Sequence, residues 1–159
     1  MLIAPLLSHP RFAGDCVLSK SISNVIVMWK PVVGKGGRSG IASANDSDGV
    51  VPLREFVLDE CNLWFIRFNL DDQARFLAIG NNLGEVRVWD MIGDVLMMQS
   101  GEGGKRGKVE TTEYLLRHEG ARTCVRNLKF NGNGDLIVTV SDGGRVFVYQ
   151  FDGGDAIDM

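Results

Sequence analysis

The sequence is short of cysteine, proline and positive charge, and each shortage removes a class of protein. Cys16, Cys61 and Cys124 are the three cysteines, an odd count, far apart and with no CxxC pair. That disfavours a disulfide framework or a cysteine zinc site and fits a reducing compartment. With four prolines the chain is neither collagen-like nor a proline-rich linker. Seventeen Lys and Arg against 20 Asp and Glu give a net charge of −3, so a broad basic surface for sequence-specific nucleic-acid binding is not expected. The longest apolar runs, such as residues 2–7, fall far below the roughly 20 residues that span a bilayer, and no membrane partner is expected. The opening Met1-Leu2-Ile3-Ala4-Pro5 has no basic stretch and no small-residue cleavage site, so a secretory signal is not expected either.

Glycine is in excess. Twenty of 159 residues are glycine, about 13% against an average near 7%. Apolar residues make up 45% and charged residues 23%, which suits a packed globular chain rather than a disordered one. Many glycines with few prolines point to many tight turns and an all-β fold.

Three thirteen-residue segments align without a gap, each 60 residues after the last: Val17–Trp29, Leu77–Trp89 and Ile137–Tyr149. Each reads as a β-rich run, a polar turn, and an alternating strand ending in an aromatic. In the second copy Val86, Val88 and Asp90 share one face, with Glu85, Arg87 and Trp89 on the other. The turns carry Asn81-Asn82-Leu83-Gly84 and Asp142-Gly143-Gly144, residues that tolerate the positive φ of tight hairpins. Inner strands are expected at 63–70 and 125–130, and outer strands at 52–58 and 109–117.

Four short strands per unit, with Trp89-Asp90 closing one of them, is the pattern of a WD-repeat β-propeller. The units run about 11–58, 59–117 and 118–151. Glycine-rich insertions at 34–49 and 101–108 read as loops and residues 152–159 as an acidic tail. Three units do not close a ring of 4 to 8 blades, so the fold expected is a partial propeller, about the last three blades. Trp29, Trp89, Asp90, His118, Asp142 and Tyr149 read as structural blade residues, His118 bonding to Thr139, Ser141 or Asp142.

The chemistry-bearing candidates are few. Trp64 and Phe65 stand together near the start of an inner strand. Strand aromatics ordinarily fill the space between blades. At a strand mouth both rings can instead face the same opening, as part of a cage for a methylated ammonium, each good contact contributing about 0.5–2 kcal/mol. Gly34 to Gly40 lacks the spacing of a phosphate-binding loop and any strand-to-helix context. Gly103 to Lys108 is a small basic loop open to weak phosphate contact, and 46–49 holds too few ligands for calcium. No nucleophile–base set, paired carboxylates, metal cluster or cofactor motif stands out, so no enzyme, metal or cofactor is expected.

One resemblance is specific. Arg11 to Ser21 with Val25 to Pro31, then Leu63 to Phe68, then Ala78 to Asn81 with Gly84 and Val88 to Asp90, then Val125-Arg126, together resemble the embryonic ectoderm development / Extra sex combs family. That family supplies the WD-repeat subunit of the Polycomb repressive histone methyltransferase complex. The resemblance covers about residues 11–151. It implies a seven-bladed propeller reading trimethyl-lysine on a histone tail, with Trp64 and Phe65 at two cage positions. Phenylalanine stands where the family commonly has tyrosine, and the family's other cage aromatics belong to blades outside this chain. Arg67 and Arg126 match family arginines near the channel, as peptide contacts or as structural charges. Val148-Tyr149-Gln150 departs from the family's Trp-Arg-Trp-Asp-like run, and residues 1–10 do not match the family's inner strand for the first blade. The function implied is a non-catalytic nuclear scaffold and methyl-lysine reader in transcriptional repression, partnered by the complex's catalytic subunit and a methylated histone tail. The rival reading is a WD-repeat adaptor that reads no methyl-lysine.

Overall fold

The computed structural model describes residues 8–31, 50–92, 113–151 and 156–158. The insertions at 34–49 and 101–108 lie outside these. The chain divides into two compact units, residues 1–64 and 65–159.

The first unit holds one antiparallel sheet in the order β1 (Ser8–Ala13), β2 (Cys16–Ser21), β3 (Val25–Pro31) and β4 (Val50–Val57). The second holds two more. One runs β5 (Phe68–Leu70), β6 (Phe76–Gly80), β7 (Val86–Asp90), β8 (Glu113–Leu116), and the other β9 (Val125–Phe130), β10 (Leu136–Ser141), β11 (Val146–Phe151), β12 (Ala156–Asp158). Each sheet is a simple meander, because every neighbour in sequence is a neighbour in the ladder.

The 60-residue repeat is visible in the backbone. Left-handed residues fall at Gly14, Ala74 and Gly134 between the first two strands of each sheet, and at Asn24, Gly84 and Gly144 between the second and third. Asn81 shows how such a turn is held: its Oδ1 accepts from the amides of Leu83 and Glu85, both at 2.9 Å. A short polar side chain thus takes up donors that the turn leaves out of the ladder.

The core of the second unit forms between its two sheets. Ala78, Val86, Val88 and Leu116 pack with Leu128, Phe130, Ile137, Phe147 and Tyr149. The blade tryptophans are tied across their own sheets. Trp29 Nε1 donates to Ser19 Oγ at 2.8 Å, and Trp89 Nε1 to Glu113 Oε2 at 3.2 Å. Asp90 Oδ1 accepts from the Ile92 amide at 2.8 Å.

Three expectations change. The first sheet has an inner strand after all, although residues 1–10 do not match the family's: β1 begins at Ser8 and pairs Phe12 with Val17 and Ala13 with Cys16. The stretch read as an acidic tail supplies β12, which pairs Ile157 with Gln150 along the edge of β11; an exposed strand edge leaves backbone donors and acceptors open, and three residues suffice to use them. The inner strand expected over 63–70 pairs only from Phe68.

Candidate functional site

In the first unit, the segment after β4 is held by two side chains of the β2–β3 hairpin. Asn24, left-handed at φ 55°, a conformation asparagine tolerates better than most residues, accepts the Leu58 amide on its carbonyl and the Cys61 amide on Oδ1, both at 2.9 Å. Lys20 is fully buried, and its Nζ donates to the carbonyls of Leu63 at 3.1 Å and Ser21 at 3.4 Å. Burial lowers its pKa, against a smaller opposing effect of Cys61. The turn of the hairpin and these two side chains therefore hold residues 58–63 in place of a strand ladder, and Trp64 comes out in a turn, 60% exposed. Strand alternation does not govern the two aromatics, because they are not in a strand.

The second unit opens on Phe65, which is half-buried. The Arg126 guanidinium lies over its ring, 4.1 Å from the centroid. Arg126 Nε in turn donates to Asp142 Oδ1, and that carboxylate's hydrogen bond raises the arginine's pKa. Asp142 is held by its own amide, which donates to the Cys124 carbonyl at 2.9 Å. The Arg67 amide donates to the Arg126 carbonyl at 3.2 Å, and Asn69 Nδ2 to the Leu128 carbonyl at 3.1 Å. The start of β5 thus runs beside β9. Beneath them the Cys124 thiol is pushed above its usual range by burial, with Asp142 adding to the effect. Phe65, Arg67, Arg126 and Asp142 come together, with the Arg67 side chain exposed. A cation–π contact of this kind occupies one face of the ring.

His118 differs from expectation. Its Nδ1 accepts from the Gly120 amide at 2.9 Å, and its ring lies 4.7 Å from that of Phe147. The partners proposed for it bond elsewhere: Thr139 Oγ1 to the Phe147 carbonyl, Ser141 Oγ to the Arg145 carbonyl, and Asp142 to Arg126. A local turn satisfies the imidazole before the distant hydroxyls can. Tyr149 is buried in the core. Among the described residues no group of His, Cys, Asp or Glu is arranged to hold a metal ion, and no helix is long and apolar enough to cross a membrane.

Sequence reasoning missed Lys20 and Asn24 as anchors of the aromatic turn, and Asp142 as the partner of Arg126. Lys20 left a signal. It follows Cys16 and Leu18 on the alternating face of β2, a lysine in a slot patterned for an apolar side chain.

The comparisons with known proteins agree with this architecture. Over 137 residues, 86% of the chain, it is 32% identical to the Polycomb protein esc of Drosophila virilis, of which the match spans 29%. Over that stretch the chain is similar to the embryonic ectoderm development / Extra sex combs family of Polycomb proteins. A Zea mays relative, Polycomb group protein FIE1, is 37% identical over 81 residues, which are 51% of this chain and 16% of that protein. The chain therefore spans less than a third of the length of the relatives it matches. No family model matches it. Among solved structures it resembles a chain of a humanized mutant of the Chaetomium thermophilum Polycomb Repressive Complex 2 bound to the inhibitor GSK126. The TM-score is 0.64 at 16% identity, over 93% of this chain and 50% of that one. Kluyveromyces lactis Hsv2 matches with TM-score 0.57 at 15% identity, over 96% of this chain and 38% of that one. At these identities the likeness concerns the fold, a partial WD-repeat β-propeller.

Proposed function

We propose that this chain serves as a non-catalytic subunit, or part of one, of a Polycomb-type repressive histone methyltransferase complex in the nucleus. Its three repeat units, 11–58, 59–117 and 118–151, act as a scaffold for the catalytic subunit, and Trp64 and Phe65 contribute to reading a methylated lysine on a histone tail. The observation that carries the reading is the Trp64 ring, exposed in a turn that Lys20 and Asn24 anchor. A methylated ammonium gains attraction from an aromatic ring that solvent reaches, and gains it fully when several rings surround it. Arg67 and Arg126 stand as candidate contacts to the peptide.

The test is a fluorescence-anisotropy titration with the chain as part of a complete propeller, using a trimethyl-lysine histone-tail peptide and its unmethylated counterpart. Trp64→Ala is expected to weaken binding of the methylated peptide by about tenfold or more with the circular dichroism spectrum unchanged. Phe65→Ala is expected to weaken it less, because Arg126 already covers one face of that ring. Undiminished binding by the Trp64 variant would defeat the reading. One observation favours the adaptor reading instead: the cation on Phe65 is the protein's own. Under that reading methylated and unmethylated peptides bind alike.

A further inference from the structure

The first thirteen-residue copy departs from the second at two positions where the second carries glycine. Gly84 and Gly144 lie in the left-handed region, at φ +91° and +66°, and their counterpart in the first copy is Asn24, at φ 55°. The turn asks only for that φ, and glycine meets it without steric cost. The asparagine side chain is therefore surplus to the turn, and it is used elsewhere: its Oδ1 accepts from the Cys61 amide at 2.9 Å. The counterpart of Cys61 one repeat later is Ala121, whose amide donates to the His118 carbonyl at 2.9 Å. There the bond is made within a local turn. At Cys61 it is made by a side chain from the hairpin.

Lys20 and Gly80 diverge in the same way. Val125, the first residue of β9, packs so close to Gly80 that a Cβ added there would lie 2.3 Å from the valine's own. The Val125 amide donates to the Asn81 carbonyl at 3.0 Å. At position 20 stands a lysine, fully buried, with Nζ on the Leu63 carbonyl at 3.1 Å. The counterpart of Val125 is Phe65, yet the next inner strand begins only at Phe68. Filling a slot on a sheet face takes only an apolar side chain, whereas burying an ammonium costs free energy that its hydrogen bonds must offset. The carbonyl that Nζ holds accounts for a lysine in that slot.

We propose that Lys20 and Asn24 are positioning residues for Trp64: they hold the chain before it out of a strand ladder, so that the ring keeps one placement in its turn. The ligand, a methylated lysine, rests on the function proposed above; the placement of the ring does not. Both residues act through the backbone and not on the ligand. A ring already in place loses less freedom when a ligand binds, and affinity rises accordingly.

Fluorine NMR of the chain within a complete propeller, labelled with fluorotryptophan, is paired with titration of a trimethyl-lysine histone-tail peptide. The Trp64 signal is the one that Trp64→Phe removes. Asn24→Gly keeps the left-handed turn and loses the acceptor, while Asn24→Asp keeps both. In Asn24→Gly the Trp64 signal is expected to narrow and move toward that of the unfolded chain, and the peptide to bind about fivefold more weakly. Asn24→Asp is expected to restore the wild-type signal and to bind at least as tightly as wild type. Lys20→Met fills the slot without a donor and is expected to match Asn24→Gly in both measurements. Urea midpoints on the same samples establish that each variant is folded during the titration. A Trp64 signal left unchanged by both Asn24→Gly and Lys20→Met overturns the proposal. So does an Asn24→Asp variant that behaves like Asn24→Gly. If the signal moves as expected while Trp64→Ala binds the peptide undiminished, the ring is positioned by these residues and the methyl-lysine reading fails.

Discussion

Gly84→Ala is expected to unfold the second unit at denaturant concentrations where the wild type is native, with a loss of about 3 kcal/mol or more. Two effects add. Gly84 lies at φ +91°, where a side chain is strained, and a Cβ there would come within 2.3 Å of the Ala121 carbonyl oxygen and 2.6 Å of its carbon. Those atoms are backbone and cannot rotate away. Gly144 is the control. It occupies the same turn position one repeat later at φ +66°, and a Cβ added to it meets nothing within 4 Å. Gly144→Ala should therefore cost only the left-handed penalty, about 1–2 kcal/mol. Urea denaturation of both variants checks the difference. Equal losses would mean that the turn conformation alone matters and the close approach to Ala121 does not.

The second large effect concerns Lys20. Lys20→Ala is expected to cost about 3 kcal/mol, because it removes a fully buried aliphatic stem and leaves the Leu63 carbonyl without its donor. Lys20→Met keeps most of the stem but, like the alanine variant, leaves the Leu63 carbonyl without its donor, so it should cost about 1–2 kcal/mol, clearly less than Lys20→Ala. The two variants also differ from wild type in pH dependence. Burial holds the folded pKa of Lys20 below its ordinary 10.5, so the unfolded chain keeps that proton to higher pH. Unfolding then takes up a proton between the folded pKa and 10.5, and the wild type gains stability as pH rises through that window. Lys20→Met should flatten this rise. Denaturation midpoints measured at a series of alkaline pH values read the slope directly, and a Met variant with the wild-type slope would assign the titration to another group.

The strands of this chain could be read because they alternate, and the repeat because it is periodic. Val86 and Val88 share one face, as their spacing predicted, and that face is buried, while the polar turns at 81–84 and 142–144 each place a glycine in the left-handed region. Trp64 and Phe65 were legible as candidates only through residue type. Their surroundings were not: the anchors of the aromatic turn, Asn24 and Lys20, precede it by some forty residues, and no local pattern links them. The Arg126–Asp142 pair was hidden for a related reason. Asp142 read in sequence as a partner for His118, and the route of β9 beside its turn gives it Arg126 instead. The short β12 escaped notice because an acidic three-residue strand has little propensity of its own and forms by completing an edge already present.

What the amino-acid order determined was local: where the chain turns, which side chains alternate, and that three similar four-stranded units follow one another. These depend on φ preferences and on a two-residue period, which act between near neighbours. What only the tertiary structure decided was which of two equivalent glycines is irreplaceable, where a buried lysine finds its acceptors, and which cation covers Phe65. Each of those depends on atoms brought together from distant segments, and their separation in space is fixed by packing rather than by their separation along the chain.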